Sequence, residues 1–335
     1  MEPERSNVRD AVLRALEQHR GAYVSGAALA ARLSVSRSAV WKAIGALRQA
    51  GYAIEARSNC GYALSSECRL LSAPSIEQHL RTPGMRVRMC GEVDSTNTLA
   101  RQAAEAGEAE GLLIVATAQT AGRGRRGRRF FSPPGGGLYM SALLRPRLSA
   151  QDAALMTSLA AVSVAEAVEA VCDRPAGIKW VNDVYLRGRK VCGILAEALP
   201  GPEGSLWVVV GIGINVCQRR EDFLPELRET AASLSMIAGA EIDRAALETA
   251  FLEELEALRR ELPQETAERR QEYGAACLNL GRRVRVLRPG GEREALAVSL
   301  TPDYGLAVRY DDGTEEVLRS GEVSVRGLYG YTDKE

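Results

Sequence analysis

Histidine is scarce in this chain: among 335 residues only His19 and His79 carry an imidazole, and neither lies near a recognisable motif. A nucleophilic set of the Ser-His-Asp or Cys-His kind is therefore excluded. The seven cysteines are scattered, without a Cys-x-x-Cys pair, which argues against a disulfide framework and against a zinc site. We expect reduced thiols in the core and no protein-bound metal.

Long apolar runs are also missing, since no segment approaches the roughly 20 residues that a membrane-spanning helix needs. Residues 1–6 lack the apolar core of a signal peptide, and we therefore expect a cytoplasmic protein without membrane contact. Apolar residues make up 46% and charged residues 26% of the chain, which is typical of globular proteins. The length allows two or three domains.

The pattern at the N-terminus predicts a winged helix-turn-helix domain over residues 1–66. Ser25 and Ser36 are the predicted N-caps of the second and third helices, and Gly51 ends the third. Two strand-like segments that follow, at 52–56 and 62–64, predict the wing. They are separated by a short turn rich in small residues.

Charge favours DNA as the partner of this domain. Residues 1–66 contain nine Arg and Lys against five Asp and Glu, although the whole chain has a net charge of zero. A protein-interaction module with an ordinary charged face is the alternative, but the positive excess favours a polyanion. The third helix would enter the major groove, with the wing near phosphates. The predicted DNA-binding residues are Arg37, Ser38, Trp41, Lys42 and Arg57.

The rest of the chain predicts two further domains of an α+β protein. Over residues 74–274, strands and helices alternate as expected for a mixed sheet. Predicted strands are 112–118, 138–144, 178–180, 191–198 and 206–212; predicted helices run to 106 from a cap at Asp94 or Ser95, from 151 to 171 behind Ser149, and over 244–260. Over 276–335, five short strands separated by turns predict a small SH3-like barrel, at 284–287, 295–300, 306–310, 316–318 and 323–325.

An arginine-glycine segment is the most informative part of the sequence. Residues 122–129 consist of five arginines and three glycines, directly after a predicted strand. Glycine lets backbone approach a ligand closely, and arginine offers a planar fork of donors suited to carboxylate and phosphate. The segment predicts a loop that binds a phosphorylated small molecule. A disordered RNA-binding segment and a solvated charged loop are the alternatives.

Three further motifs accompany this loop. They are Ser95-Thr96-Asn97, the pair Lys179-Trp180-Val181-Asn182-Asp183 and Arg189-Lys190-Val191-Cys192-Gly193, and Gly211-Ile212-Gly213-Ile214-Asn215. Taken singly, Asp183 is as well explained by a turn and Gly211 by a strand bulge. Together and in this order, the four motifs resemble the biotin–protein ligases. The domain order resembles their bifunctional DNA-binding form, the biotin-operon repressors, over essentially the whole chain.

The resemblance implies a class II synthetase-like central domain and a role for each matching residue. The implied biotin-binding residues are Ser95, Thr96, Asn97, Gln119, Arg123, Gly124, Arg125, Lys190 and Gly193. The implied ATP- or adenylate-binding residues are Arg123, Arg126, Arg128, Phe130, Lys179, Asn182, Gly211, Gly213 and Asn215. The implied catalytic residues are Lys190, Arg125, Lys179 and Asp183.

The resemblance also implies substrates and partners. The enzyme would use ATP and Mg²⁺ to form biotinyl-5′-AMP, and would then transfer biotin to a lysine of a biotin carboxyl carrier protein. With biotinyl-AMP bound, a homodimer would bind operator DNA and repress genes of biotin synthesis or uptake. Joining a carboxylate to the α-phosphate forces two anions together, and cations of the loop and Lys190 would offset that repulsion.

Two positions depart from the family pattern. Val181 stands where proline is usual, and Phe130 and Phe131 follow the loop where tryptophan is common. Neither change removes a charge, so we expect activity to survive. Two alternatives remain: a DNA-binding biotin sensor without ligase activity, which the intact arginines and lysines oppose, and a ligase for another acyl group such as lipoate, which the loop sequence and the winged helix oppose.

Overall fold

The computed structural model describes residues 4–66, 68, 70–78, 80, 84–146, 155–201, 205–261, 267–288, 291–319 and 324–327. The chain divides into two compact units, Met1–Leu80 and Arg81–Glu335. Strands of the predicted central and C-terminal domains lie in the second unit.

The N-terminal unit has the predicted helix, helix, helix and hairpin order. Its elements are α1 (Glu4–Glu17), α2 (Gly26–Arg32), α3 (Arg37–Gln49), β1 (Ile54–Arg57), β2 (Gly61–Leu64) and α4 (Ala73–Glu77). Both predicted caps are confirmed, because Ser25 Oγ accepts from Ala28 N at 3.0 Å and Ser36 Oγ accepts from Ala39 N at 3.1 Å. The helix α4 was not predicted. It packs on α1, where Ser72 Oγ donates to Glu17 at 2.9 Å.

The apolar stripe of α3 forms the centre of this unit. Its buried residues are Val40, Ala43, Ile44 and Leu47, as the helical spacing predicts. They pack with Leu16 and Leu29 in one cluster. The opposite face of α3 is exposed, and Trp41 on it is 67% exposed.

Within the described part of the second unit, seven strands form a mixed sheet in the order β3-β4-β5-β9-β8-β7-β6. The pair β3 and β4 is parallel and the other neighbours are antiparallel. The strands are β3 (Arg86–Val93), β4 (Leu112–Gln119), β5 (Gly137–Leu144), β6 (Gly177–Lys179), β7 (Asp183–Leu186), β8 (Arg189–Pro200) and β9 (Leu206–Asn215). The five strands predicted for this region are confirmed.

Two strands of this sheet, β3 and β7, were not predicted from the sequence, and each has a physical reason. The edge strand β3 mixes apolar and charged residues, and none of its residues is fully buried, so it carries no continuous apolar run. The strand β7 is four residues long and lies inside a motif that we interpreted only by its chemistry. It pairs with both β6 and β8 and closes the hairpin that presents Asp183.

The helices of the second unit are α5 (Thr96–Glu105), α6 (Leu155–Cys172), α7 (Leu234–Ala238), α8 (Arg244–Glu261) and α9 (Ala267–Ala276). Of these, α5 and α6 pack on this sheet, and α8 packs on α6. Among the described residues, α6 alone is long and apolar enough to cross a membrane, with a mean hydropathy of 1.6, but 72% of it is buried in the protein. Such burial identifies a core helix. Its predicted cap, Ser149, lies outside the described residues.

The strands near the C-terminus form one antiparallel sheet, and they correspond to the five strands predicted for this region. In the described residues their order is β13-β12-β11-β10-β14. They are β10 (Arg283–Arg288), β11 (Gly291–Leu300), β12 (Leu306–Tyr310), β13 (Glu315–Leu318) and β14 (Ser324–Gly327). The segment before β10 joins the large sheet, because Leu278 N donates to Ile178 O at 2.9 Å.

Candidate active site

The arginine loop, residues 122–130, connects β4 to β5 and is closed by its own backbone. Gly124 N donates to Arg128 O at 2.8 Å, and Phe130 N donates to Gly122 O at 2.8 Å. A side chain at Gly122 would place its Cβ 2.4 Å from Phe130 O. The loop is thus a tight turn whose first glycine permits the closure.

These arginines line a cleft of about 130 Å³. The hairpin of β6 and β7 and the start of β8 form its other walls. Of the described lining residues, seven are cations and one, Asp183, is a carboxylate. A concave surface with this excess of positive charge favours anionic ligands. The full lining is Arg123, Gly124, Arg125, Arg126, Arg128, Arg129, Phe130, Lys179, Trp180, Asn182, Asp183, Lys190, Gly193 and Ile194.

Arg125 is a partly buried cation of the cleft. Its Nη1 donates to Asn182 Oδ1 at 3.0 Å, whereas its Nη2 is buried and has no hydrogen-bond partner among the described residues. Burial lowers the pKa of the Arg125 guanidinium, and the nearby Asp183 carboxylate opposes this effect. Arginine nevertheless stays protonated at physiological pH. The cleft therefore holds a desolvated positive charge with donor capacity to spare.

Lys190 faces the same cleft and pairs with its carboxylate. Lys190 Nζ lies 2.7 Å from Asp183 Oδ1 and 5.9 Å from the centre of the Phe130 ring. Because β7 and β8 are antiparallel neighbours, the hairpin brings these two residues of separate motifs together. Lys179 also lines the cleft, and its Nζ lies 6.0 Å from the centre of the Tyr185 ring.

The Phe130 ring rests on a floor of two glycines. Gly193 and Gly213 are paired across β8 and β9. A Cβ at Gly213 would lie 2.4 Å from the ring, and a Cβ at Gly193 would lie 3.0 Å from it. The absence of side chains at these paired positions lets an aromatic ring approach the sheet. Phe130 is thereby placed between the loop and the sheet.

The hairpin that carries Lys179 and Asp183 is anchored from the C-terminal side. Trp180 N donates to Asn279 Oδ1 at 2.8 Å, and its indole Nε1 donates to Tyr304 O at 2.8 Å. The peptide bond between Trp180 and Val181 is cis. On the other side, Asn182 Nδ2 donates to Ile194 O at 2.9 Å. The motif is thus held at both ends.

The Ser95-Thr96-Asn97 motif forms a buried polar network beside the cleft, at the start of α5. Gln119 Oε1 accepts from Thr96 N at 2.9 Å and from Thr96 Oγ1 at 3.2 Å. The prediction that Asp94 or Ser95 is the cap of α5 is confirmed for Ser95, which occupies the N-cap position, although its side chain makes no capping bond. Gln119, 23 residues further along the chain, instead accepts from the first helical N–H.

Sequence reasoning missed three residues of this network. Ser141 Oγ donates to Thr96 Oγ1 at 2.8 Å or to Asn97 Oδ1 at 2.7 Å, and Ser132 Oγ accepts from Gln119 Nε2 at 2.8 Å. The third is Glu197, which accepts from Asn97 Nδ2 at 2.9 Å. One signal was available for Ser141, because a hydroxyl within the wholly buried strand β5 requires a buried partner.

Two other predicted residues lie apart from the cleft lining. A Cβ at Gly211 would lie 1.8 Å from Asn97 Oδ1, so this glycine makes room for the polar network. Asn215 is 5% exposed at the end of β9. Gln218 Nε2 donates to Asn215 Oδ1 at 3.4 Å and to Tyr139 OH at 3.2 Å. The predicted contact of Asn215 with adenine stays a prediction.

The predicted DNA-binding residues lie on the N-terminal unit. A groove of about 630 Å³ separates the start of α3 from the hairpin of β1 and β2, and Arg37, Ser38, Trp41 and Arg57 are among the residues that line it. Lys42 is exposed on the same helix but is not part of this lining. We call this feature the wing groove.

Metal and thiol chemistry find little support in the described residues. No group of three or more His, Cys, Asp or Glu side chains among them is placed to hold a metal ion. The seven cysteines, all at described positions, are free thiols. Burial raises the pKa of Cys192, the cysteine nearest to Lys190 in sequence, so this residue remains a protonated core thiol.

Comparison with known proteins agrees with this geometry. The Biotin/lipoate A/B protein ligase family matches residues 91–215, and an HTH domain matches residues 8–63. The bifunctional ligase/repressor BirA of Bacillus spizizenii is 39% identical over 72% of this chain and 75% of its own length. The Escherichia coli protein of the same name is 31% identical over 91% of this chain and 94% of its own.

Solved structures lead to the same family. The biotin protein ligase of Aquifex aeolicus, solved with biotin and ATP, superimposes with a TM-score of 0.62 at 32% identity, over 72% of this chain and 98% of that one. Fold and site thus define a ligase domain with a cation-lined cleft, which follows a helix-turn-helix domain. The chain belongs to the Biotin/lipoate A/B protein ligase family, which confirms the resemblance that the four motifs indicated.

Proposed function

We propose that this protein attaches biotin to a specific lysine of a biotin carboxyl carrier protein, at the expense of ATP and through biotinyl-5′-AMP. The observation that carries the proposal is the Arg125 guanidinium, which lines the cleft with six other cations and whose buried Nη2 lacks a hydrogen-bond partner among the described residues. An unsatisfied buried donor is costly. Oxygen atoms of a carboxylate or phosphate would satisfy it.

In the first step, the biotin carboxylate attacks the α-phosphate of ATP, a C–O–P linkage forms, and pyrophosphate leaves. Arg123, Arg125 and Lys190 line the cleft and would offset the repulsion between the two anions. Arg125 and Lys190 would also stabilise the charge that grows on the phosphoryl oxygens. The Asp183 contact holds the Lys190 ammonium at the cleft, ready for the incoming phosphate.

Magnesium enters this proposal as part of the substrate, MgATP. The cleft offers one carboxylate among its described lining residues, and that carboxylate already pairs with Lys190. This donor set suits an ion held mostly by phosphate oxygens, as is usual for Mg²⁺ with nucleotides. The chain would then need to contribute at most one ligand.

In the second step, the amine of the acceptor lysine attacks the acyl carbon, the amide bond forms, and AMP leaves. No covalent enzyme intermediate is required, in agreement with the described cleft lining, which contains no Ser, Thr, Cys or His side chain. Biotinyl-AMP is a mixed anhydride that water destroys. An arginine loop that closes over it would exclude that water.

The decisive experiment combines two measurements on the purified protein. We expect pyrophosphate release that requires biotin and MgATP, and labelling of a carrier-protein acceptor that is detected by avidin. Pyrophosphate release without labelling of the acceptor would leave only the first step. Labelling by lipoate but not by biotin would show that the enzyme transfers a different acyl group. No reaction with either would indicate a DNA-binding ligand sensor without ligase activity.

We also propose that the N-terminal domain binds operator DNA and represses genes of biotin synthesis or uptake in the cytoplasm. The wing groove supports this proposal, because Arg37 and Arg57 flank the exposed Trp41 there. Arginine beside an exposed recognition-helix surface suits phosphate and base contacts in DNA. If biotin with ATP did not tighten binding of the protein to its upstream DNA, biotinyl-AMP would not be a co-repressor.

The edge of β8 is the surface that we propose for dimerisation and for the acceptor. Strand β8 continues past β7, so among the described strands residues 195–200 pair with β9 on one side only. Unpaired backbone at a sheet edge can add a strand from a second chain. We expect sedimentation velocity to detect a dimer with biotin and ATP present, and the acceptor to compete with it.

A further inference from the structure

Glu197 joins three elements around the cleft through one carboxylate. It lies on β8, and its side chain is 17% exposed. Its Oε2 accepts from Asn97 Nδ2 at 2.9 Å, and its Oε1 lies 2.9 Å from Arg123 Nη2. Arg101 Nη1 on α5 stands further away, at 3.7 Å. Neither the motifs nor the proposed chemistry gives this residue a role.

The partners of Glu197 differ in how firmly they are held. Asn97 is fixed, because it is buried, its Oδ1 accepts from Ser141, and its Nδ2 also donates to Leu195 O at 3.3 Å. Arg123 belongs to the loop and its side chain is 38% exposed. A rigid anchor therefore stands on one side of the carboxylate and a solvent-exposed guanidinium on the other.

Only part of the Arg123 guanidinium is occupied by this contact. The group has five N–H donors, and the pair with Glu197 involves its Nη2. Arg123 also lines the cleft, so its remaining donors are available to a ligand there. A guanidinium that is already oriented loses less conformational entropy when an anion binds.

We propose that Glu197 is a positioning residue, which holds Arg123 on the Asn97 anchor so that its free donors meet the carboxylate of biotin. This inference rests on the proposed ligase function. Glu197 itself touches no reacting atom, so its effect must be expressed through Arg123 and on biotin binding. The affinity for ATP should change little.

The test compares Glu197→Ala and Glu197→Gln with Arg123→Ala and the double variant Arg123→Ala/Glu197→Ala. Biotin-dependent pyrophosphate release gives kcat and KM for biotin and for ATP, and calorimetry gives the Kd of biotin. Because charge-assisted hydrogen bonds are strong, we expect Glu197→Ala to raise the KM and Kd of biotin about tenfold. We expect kcat and the KM of ATP to stay within about threefold of wild type. Glu197→Gln keeps an acceptor for Arg123 and should recover part of the loss.

The double variant separates positioning from general stability. In the Arg123→Ala background, removing Glu197 should weaken biotin binding less than twofold further, because the two act as one unit. If the effects of the two substitutions on biotin affinity were additive, the inference would be overturned. A fall in kcat as large as the rise in the KM of biotin would also overturn it. Arg101→Ala is the matched control, because this substitution removes the more distant cation. The Arg101→Ala variant should bind biotin as tightly as wild type does.

Two outcomes distinguish this inference from the function on which it rests. A wild-type protein that releases no pyrophosphate with biotin contradicts the proposed function itself. An active wild type with an unchanged Glu197→Ala variant contradicts only the role of Glu197. Thermal unfolding of each variant checks the fold, and if Glu197→Ala does not fold, Glu197→Gln carries the comparison with an expected rise of about threefold in the Kd of biotin.

Discussion

Charge and steric room at single residues decide what the cleft accepts. Lys190 and Arg125 provide the charge, and Asp183 is the carboxylate that holds one of them at 2.7 Å. Glycines provide the room: Gly213 admits the Phe130 ring and Gly211 admits the Asn97 amide. Replacing one of the cations should therefore change the reaction rate, whereas replacing one of the glycines should change the stability of the fold.

The first prediction at this scale concerns Lys190. Replacement by alanine should lower the rate of adenylate formation by about 10²- to 10³-fold, because a cation that stabilises developing phosphoryl charge is lost. Biotin-dependent pyrophosphate release measures this rate, and circular dichroism checks the fold. The neighbouring Arg189 lies outside the cleft lining, so Arg189→Ala is the matched control. A Lys190→Ala variant with near wild-type turnover would remove this residue from the mechanism.

A second prediction concerns Gly211. Its replacement by alanine should lower the free energy of unfolding by about 2 kcal/mol, since overpacking forces neighbours out of place and the new Cβ would stand 1.8 Å from Asn97 Oδ1. Urea unfolding followed by circular dichroism measures the change. Gly274→Ala in α9 is the control, because the nearest atom to its Cβ would be 3.9 Å away. Equal stability of the two variants would contradict the packing argument.

Among secondary-structure elements, one guanidinium ties three helices together. Arg269 of α9 lies 2.7 Å from Glu166 of α6 and 3.2 Å from Glu254 of α8, with Glu272 at 3.4 Å. Three carboxylates thus share a cation that is 11% exposed. Burial, together with the hydrogen bond that protonated Glu166 donates to Glu254, raises the pKa of Glu166 to about 7.

This raised pKa predicts a pH dependence of stability. Between its ordinary value of 4.5 and about 7, Glu166 binds a proton more tightly in the folded protein than in the unfolded chain. Stability should therefore fall as pH rises through this window. The side chain is 34% exposed, so we expect a loss on the order of 1 kcal/mol. Melting temperatures from pH 5 to 8 should fall less for Glu166→Gln, and parallel curves would contradict the assignment.

Elements also differ in how far they could be predicted. The first three helices of the N-terminal unit and five strands of the large sheet follow from caps and apolar periodicity. The strand β3 could not be predicted, because an exposed edge needs no apolar pattern. The acceptor of the first N–H of α5 could not be predicted for a related reason: Gln119 comes from the end of β4, and no local pattern encodes that contact.

For the whole molecule, the two compact units should be separable by mutation. Arg57→Ala on the wing should weaken DNA binding and reduce the slope of log K against log salt by about 1, because one phosphate contact is lost. Acceptor labelling should not change. Fluorescence anisotropy with the protein's upstream DNA measures binding. Arg32→Ala removes an exposed cation outside the wing groove and is the control. An equal salt slope in both variants would contradict the predicted contact.

By itself, the sequence determined the family, the order of its motifs and most of the cations that line the cleft, because these depend on residue identity and local spacing. It also determined the caps at Ser25 and Ser36. Only the tertiary structure decided what holds those cations. Asn97 and Glu197 are 100 residues apart along the chain, and their contact depends on strand order, register and the space left at Gly211. Local sequence patterns do not specify such contacts, since they form only when the sheet is assembled.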